Sequence, residues 1–201
     1  MPDDSLPKPP TRGIAEGMIL LRHGQSEFNL HFTATRRDPG IEDPGLTEQG
    51  HAQAEAAASA LDGRPLRRLI VSPYTRTLQT AAPVLARRPL DIEISPEIRE
   101  RFHFVCDIGS PPDRLAERFP NHDFAHLPAR WWPDETETEE AVIERANRFR
   151  AEMGARPDWQ ETLVVSHWAF ILALTGQSLT NGSWIDYDPT SPPPSALRWR
   201  P

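Results

Sequence analysis

Three short apolar runs each end in residues able to bind or attack phosphorus. Met18-Ile19-Leu20-Leu21 stops at Arg22-His23-Gly24, Leu69-Ile70-Val71 stops at Ser72-Pro73 with Arg76 just beyond, and Leu163-Val164-Val165 stops at Ser166-His167. Arginine presents planar, permanently charged donors that match phosphate oxygens. A neutral imidazole is a competent nucleophile at phosphorus, and a second one can donate to a non-bridging oxygen. Ser72 followed by Pro73 predicts an N-cap and first helical residue, which would add free backbone N–H groups and the positive end of a helix. Singly, His23, His167 or Arg76 reads as an ordinary packing residue. Their joint occurrence after three apolar runs points to a phosphoryl-transfer pocket.

The runs are continuous rather than alternating, as in strands buried on both faces. In open α/β sheets ligands bind beyond the carboxyl ends of the strands, so the two histidines and two arginines converge on one crevice. A polar loop with Asp38-Pro39-Gly40 and Asp43-Pro44-Gly45 follows the first run. Thr47 then predicts an N-cap, stapled by Leu46, for a helix reaching Leu61. The helix after Ser72 continues through Leu78, Ala81, Ala82 and Leu85, and Ile92 and Ile94 alternate with polar residues as in an edge strand. Thr136 and Glu139 read as a capping box ahead of Val142, Ala146, Phe149 and Met153 at helical spacing. A helix over about 169–175 and a last strand around 183–187 complete the pattern. Strands alternating with helices predict a three-layer α/β/α sandwich with a largely parallel central sheet. Residues 1–17, with Pro2, Pro7, Pro9 and Pro10, read as a flexible leader, and 18–201 as a single domain. An irregular region at about 99–134, rich in proline and carrying Trp131-Trp132, reads as lid-like.

A chain of 201 residues suits one core, and 38% hydrophobic with 25% charged residues suits a globular protein. The formal net charge of -7 argues against a nucleic-acid surface, so positive charge for an anionic ligand must be gathered locally. Cys106 is the only cysteine, which excludes an internal disulfide and fits a reducing compartment. The first segment lacks the apolar stretch of a signal peptide, and 163–174 is interrupted by Ser166 and His167 and too short to span a bilayer. A cytoplasmic protein with a small phosphorylated molecule as partner, and no membrane or nucleic acid, is expected. No metal-ligand set is read in the chain, so neither metal nor cofactor is expected.

Leu21-Arg22-His23-Gly24-Gln25-Ser26-Glu27-Phe28-Asn29, Leu46-Thr47-Glu48-Gln49-Gly50, Ser72-Pro73-Tyr74-Thr75-Arg76-Thr77-Leu78-Gln79-Thr80-Ala81 and Ser166-His167 resemble, in order, the motifs of the histidine phosphatase superfamily, the phosphoglycerate-mutase-like proteins. The resemblance implies the fold of that family and a role for each matching residue. His23 would be the nucleophile, with Arg22, Arg76 and His167 holding the phosphoryl group. Asn29 would contact the phosphate or orient His23, and Glu100 would protonate the leaving oxygen. From sequence alone Glu93, Glu97 and Glu100 are not separable; the resemblance favours Glu100. Gln25 replaces the glutamate of many members, and Trp168-Ala169 the glycine pair that commonly follows the second histidine. A phosphatase working through phosphohistidine is the expected function. The alternatives are a phosphoglycerate-mutase-type transfer and a non-catalytic phosphate-ligand binding protein.

Overall fold

The strands β1 (Met18–Arg22), β2 (Arg68–Val71), β3 (Asp91–Ile94), β4 (Thr162–Ser166) and β5 (Trp184–Tyr187) lie in one sheet in the order β3-β2-β4-β1-β5. This is a computed structural model, and it describes residues 17–199; the expected leader, apart from Gly17, lies outside the described residues. All neighbouring strands run parallel except β5, which pairs antiparallel with β1. The helices are α1 (Glu27–Thr35), α2 (Glu48–Ala60), α3 (Thr75–Arg87), α4 (Pro112–Arg118), α5 (Glu139–Ala155) and α6 (Trp168–Thr175).

Alternation along the strands explains why the runs carry no polar residue. Ile19, Leu21, Leu69, Val71, Leu163 and Val165 pack with Ala57, Ala58 and Leu61 at α2 and with Leu78, Ala81 and Val84 of α3. The intervening Met18, Leu20, Ile70 and Val164 pack on Val142, Ala146, Phe149 and Met153 of α5 and on Phe170, Ala173 and Leu174 of α6. β1, β2 and β4 therefore have helices on both faces, giving the three layers expected. Registers Arg22↔Ser166 and Val71↔Val165 bring the ends of β1, β4 and β2 level. His23 N–H donates to the Ser166 carbonyl and Ser72 N–H to that of Val165, so the ladder delivers all three strand ends to one edge.

Three local expectations are corrected. The helix after β2 begins at Thr75, not at Ser72, and Tyr74 is its N-cap. Asp43 does the capping from outside: its carboxylate accepts the Thr75 N–H (2.8 Å) and the Thr75 hydroxyl (2.7 Å). A carboxylate at that helix end offsets the positive dipole that was expected to face phosphate. The N-cap of α5 is Thr138, whose hydroxyl accepts from Ala141 N–H (3.2 Å), rather than Thr136. The polar loop after His23 contains α1, capped by Ser26 and Asn29. The region 99–134 acts mainly as a packing segment: Leu115, Phe124, Leu127 and Trp131 join the α2–α3 core, and a Cβ on Gly109 would lie 2.2 Å from the Trp131 ring. It reaches the cavity described below only through Glu100, Arg101, His103, Phe104, Cys106 and Asp107.

Candidate active site

His23 is 3% exposed and lies immediately after β1. Its Nδ1 is 2.7 Å from the Gly24 carbonyl oxygen, which can only accept, so Nδ1 carries the proton and the Nε2 lone pair is available. Burial, then the charges of Arg76 and Arg22, hold its pKa well below the ordinary histidine value, so the ring is neutral at physiological pH. The turn behind it is tightly held. Gly24 N–H donates to Thr80 Oγ1 (3.0 Å), and Thr47 N–H donates to the Gln25 carbonyl (2.9 Å). A Cβ on Gly24 would lie 2.4 Å from the Gly50 carbonyl oxygen, and one on Gly50 would lie 2.0 Å from that of Gln25. The two glycines let this turn rest directly on the start of α2.

Two arginines and the second histidine surround this ring. Arg22 donates to the Leu179 carbonyl (2.6 Å), while its Nε is buried without a partner. Burial lowers its pKa to about 10, which leaves it charged at neutral pH. Arg76 is buried, donates to the Cys106 carbonyl (3.0 Å) and to Asp107 Oδ1 (3.3 Å), and lies 4.2 Å from the Tyr74 ring centroid. Those contacts use two of its five donors. His167 is wholly buried with its ring centroid 5.2 Å from that of His23. Its Nε2 meets Ser72 Oγ at 2.9 Å, and its Nδ1 is buried without a partner. Burial, Arg76 and the neighbouring His23 keep it neutral as well.

Among the three glutamates the structure separates one. Glu93 pairs with Arg156 and Glu97 with Arg148, away from the cavity, whereas Glu100 lines it. Glu100 Oε1 accepts the Arg101 and Ala169 N–H groups, each at 2.9 Å. Burial and the nearby Asp107 raise its pKa above the ordinary glutamate value. The segment carrying it is clamped by Arg145, which donates to the carbonyls of Glu97 (2.7 Å) and Arg99 (3.0 Å) and forks onto Glu137.

Arg22, His23, Asn29, Arg76 and Glu100 line one cavity of about 280 Å³; His167 stands behind His23 rather than on the cavity wall. Asn29 Oδ1 is occupied by Ser26 N–H (3.1 Å) and by Asn181 Nδ2 (3.1 Å). Asn181 also donates to the carbonyls of His23 (3.1 Å) and Gly24 (3.4 Å), so it fixes the nucleophile's turn directly. Sequence reading missed Asn181, which lies in the Ser- and Pro-rich tail with no motif around it. Asp107 is buried at the cavity wall, paired with Arg76, and accepts the His103 and Phe104 N–H groups. Gln25 does not line the cavity; its Oε1 accepts the Thr47 hydroxyl (2.9 Å). His122 and His126 have a spacing that sequence reading overlooked, but they sit in a loop on a second cavity, and His126 Nε2 meets the Ile94 carbonyl (2.7 Å). Among the described residues no three potential metal ligands cluster, and no helix is long and apolar enough to cross a membrane.

A family model for the histidine phosphatase superfamily (branch 1) matches residues 18–191. The chain belongs to this superfamily. A glucosyl-3-phosphoglycerate phosphatase of Mycobacterium tuberculosis is 28% identical, covering 92% of this chain and 92% of its own. An adenosylcobalamin/alpha-ribazole phosphatase of Salmonella typhi is 29% identical over 80% of this chain and 78% of its own. Among solved structures, a mycobacterial hydrolase superposes with a TM-score of 0.60 at 25% identity, covering 84% of this chain and 89% of its own. The alpha-ribazole phosphatase of Shigella flexneri gives 0.59 at 24% identity, covering 83% and 87%. The two curated relatives of this histidine phosphatase are phosphatases by name, and the solved structures share its fold.

Proposed function

We propose that this histidine phosphatase hydrolyses a small phosphomonoester through a phosphohistidine on His23. One observation carries the reading: a neutral histidine with its proton committed to Gly24, and so with its other nitrogen free, lines one cavity together with the guanidinium groups of Arg22 and Arg76. His23 Nε2 attacks phosphorus in line. Arg22 and Arg76 take the equatorial oxygens, where charge develops, and the partnerless Arg22 Nε is a donor suited to it; His167, with Nε2 at Ser72 Oγ and Nδ1 without a partner, backs the site behind His23. Glu100, whose acid form burial favours, gives its proton to the departing oxygen and then, as carboxylate, activates water against the phosphohistidine.

Return of the phosphoryl group to a bound intermediate calls for groups that hold a second anionic end. Arg101 and His103 are the remaining basic side chains on the cavity wall, and Arg101, the permanently charged one, already donates to the Glu137 carbonyl (2.8 Å) and to Glu139 (3.2 Å). Hydrolysis is therefore favoured over mutase chemistry, in line with the phosphatase relatives. The test is a panel of phosphomonoesters with His23→Ala as blank, coupled to a quench with labelled substrate. Turnover and an acid-labile, base-stable label are expected in the wild type and neither in the variant. Turnover by His23→Ala would falsify the mechanism.

A further inference from the structure

Beyond the phosphate-holding end, the cavity is walled by rings. Phe28, Phe32 and Phe104 form one cluster, each pair of centroids 5.2 Å apart, and Trp168 and Trp199 meet edge to face at 6.4 Å. Trp168, Trp199, Phe32 and Phe104 are each only partly buried, so a ligand can still cover them. Most polar side chains around them are already committed, the exposed His103 imidazole and the Asn29 amide nitrogen being the exceptions. Trp168 Nε1 donates to Ser178 Oγ (2.9 Å), and the Asn29 side-chain oxygen and Ser26 hydroxyl bond each other's groups. Arg101 is tied to Glu137 and Glu139 and lies 5.9 Å from the Trp199 ring.

Hydroxyls of a sugar or polyol would lose water here and find few partners, which opposes their binding. A flat ring would instead gain apolar burial and edge or stacking contacts. Resting on the phosphatase reading above, we infer that the substrates are phosphomonoesters whose alcohol part carries an aromatic ring, seated against Trp168 and Trp199. Ordinary packing accounts for Phe28, which is buried on the inner side of α1, but it leaves the exposed faces of the two tryptophans unexplained. Arg36, 5.7 Å from the Phe32 ring, does not line the cavity, so it offers no second anion site inside it.

The test compares 2-phenylethyl phosphate with glycerol 3-phosphate, two esters with primary alkoxide leaving groups, so the difference lies in recognition rather than departure. The wild type should favour the phenylethyl ester in kcat/KM by tenfold or more, on the order expected for burying one ring. Trp168→Ala and Trp199→Ala should each lower that ratio roughly fivefold, and Trp168→Phe should keep most of it. The Phe variant separates lost recognition from a damaged fold. Equal or better use of glycerol 3-phosphate overturns the inference, as does a ratio that neither alanine variant moves. Turnover of other panel esters without the phenylethyl one overturns this inference alone. No turnover and no phosphohistidine with any ester overturns the phosphatase reading, and this inference with it.

Discussion

The two ring nitrogens of His23 meet different surroundings, and that asymmetry defines its reactivity. With Nδ1 held by Gly24 and the ring kept neutral by burial and two guanidiniums, activity should persist well below pH 6.5, where an ordinary histidine would protonate. A kcat profile whose acid limb lies at the ordinary histidine value would contradict this. Glu100 is shifted the other way, so it stays an acid to higher pH than a free glutamate, and activity should fall as pH rises through that raised value. Glu100→Gln should cost about 10²–10⁴-fold on alkyl phosphates. With 4-nitrophenyl phosphate, whose leaving group departs unprotonated, the same variant should keep a rapid burst of nitrophenol and then slow at dephosphorylation. A burst lost as completely as alkyl turnover would move the acid role to Asp107. His23, Arg22, Arg76 and His167 were legible because their types are unusual at strand ends. Asn181 and Asp107 reach the site through contacts with residues far off in the chain, His23 and Gly24 for one and Arg76 for the other, and sequence spacing carries no trace of such contacts.

Elements place these residues through contacts that leave little slack. The turn after β1 and the first turn of α2 touch backbone to backbone at Gly24 and Gly50. Gly50→Ala should destabilise by about 1–3 kcal/mol, because the clash is with backbone rather than a flexible tip, and thermal melting measures it. The clamp on Glu100 is the other case. Arg145 is buried and forks onto Glu137, whose burial is the largest influence on its pKa but is outweighed by Arg145 and Arg99 together, so that the pKa is lowered. Arg145→Met should cost about 1.5–3 kcal/mol by stripping the fork from a buried carboxylate that then keeps only its Arg99 partner at 2.8 Å. It should also lower kcat on alkyl esters more than it alters KM, since Glu100 loses its support. Melting and steady-state kinetics on alkyl esters check both parts; unchanged kcat in a folded variant would show that Glu100 is held elsewhere. The strands, α2 and β3 were readable from apolar runs and a cap. The start of α3 was not, because its cap, Asp43, comes from another loop, so Ser72-Pro73 imitated a local signal that tertiary contact replaced. α1 was hidden by the turn residues that follow it, although Ser26 and Asn29 stand at capping spacing.

For the molecule as a whole, the site is a burden on stability whose sign depends on the group. His23 and His167 have depressed folded pKa values, so their contribution is present above about 6.5 and is lost as pH falls, when the unfolded chain takes up protons. Glu100 is raised, so its ionisation penalises the fold as pH rises above the ordinary value of 4.5. Glu100→Gln should therefore stabilise the protein at pH 8, by about 1.4 kcal/mol for each factor of ten by which folding weakens this acid, and give no gain at pH 4. Denaturant titrations at the two pH values test this, and an equal effect at both would contradict it. The layered architecture was legible from alternating elements, whereas the sheet order was not, because pairing between distant strands leaves no local mark. That order has one further consequence. β1 lies between β4 and β5, both encoded near the opposite end of the chain. During synthesis Met18–Leu21 emerges early and stays without either sheet neighbour until almost everything else has followed. The first piece of the site to be made is thus the last to be seated, and a stalled or truncated chain exposes a bare apolar strand in place of a nucleophile.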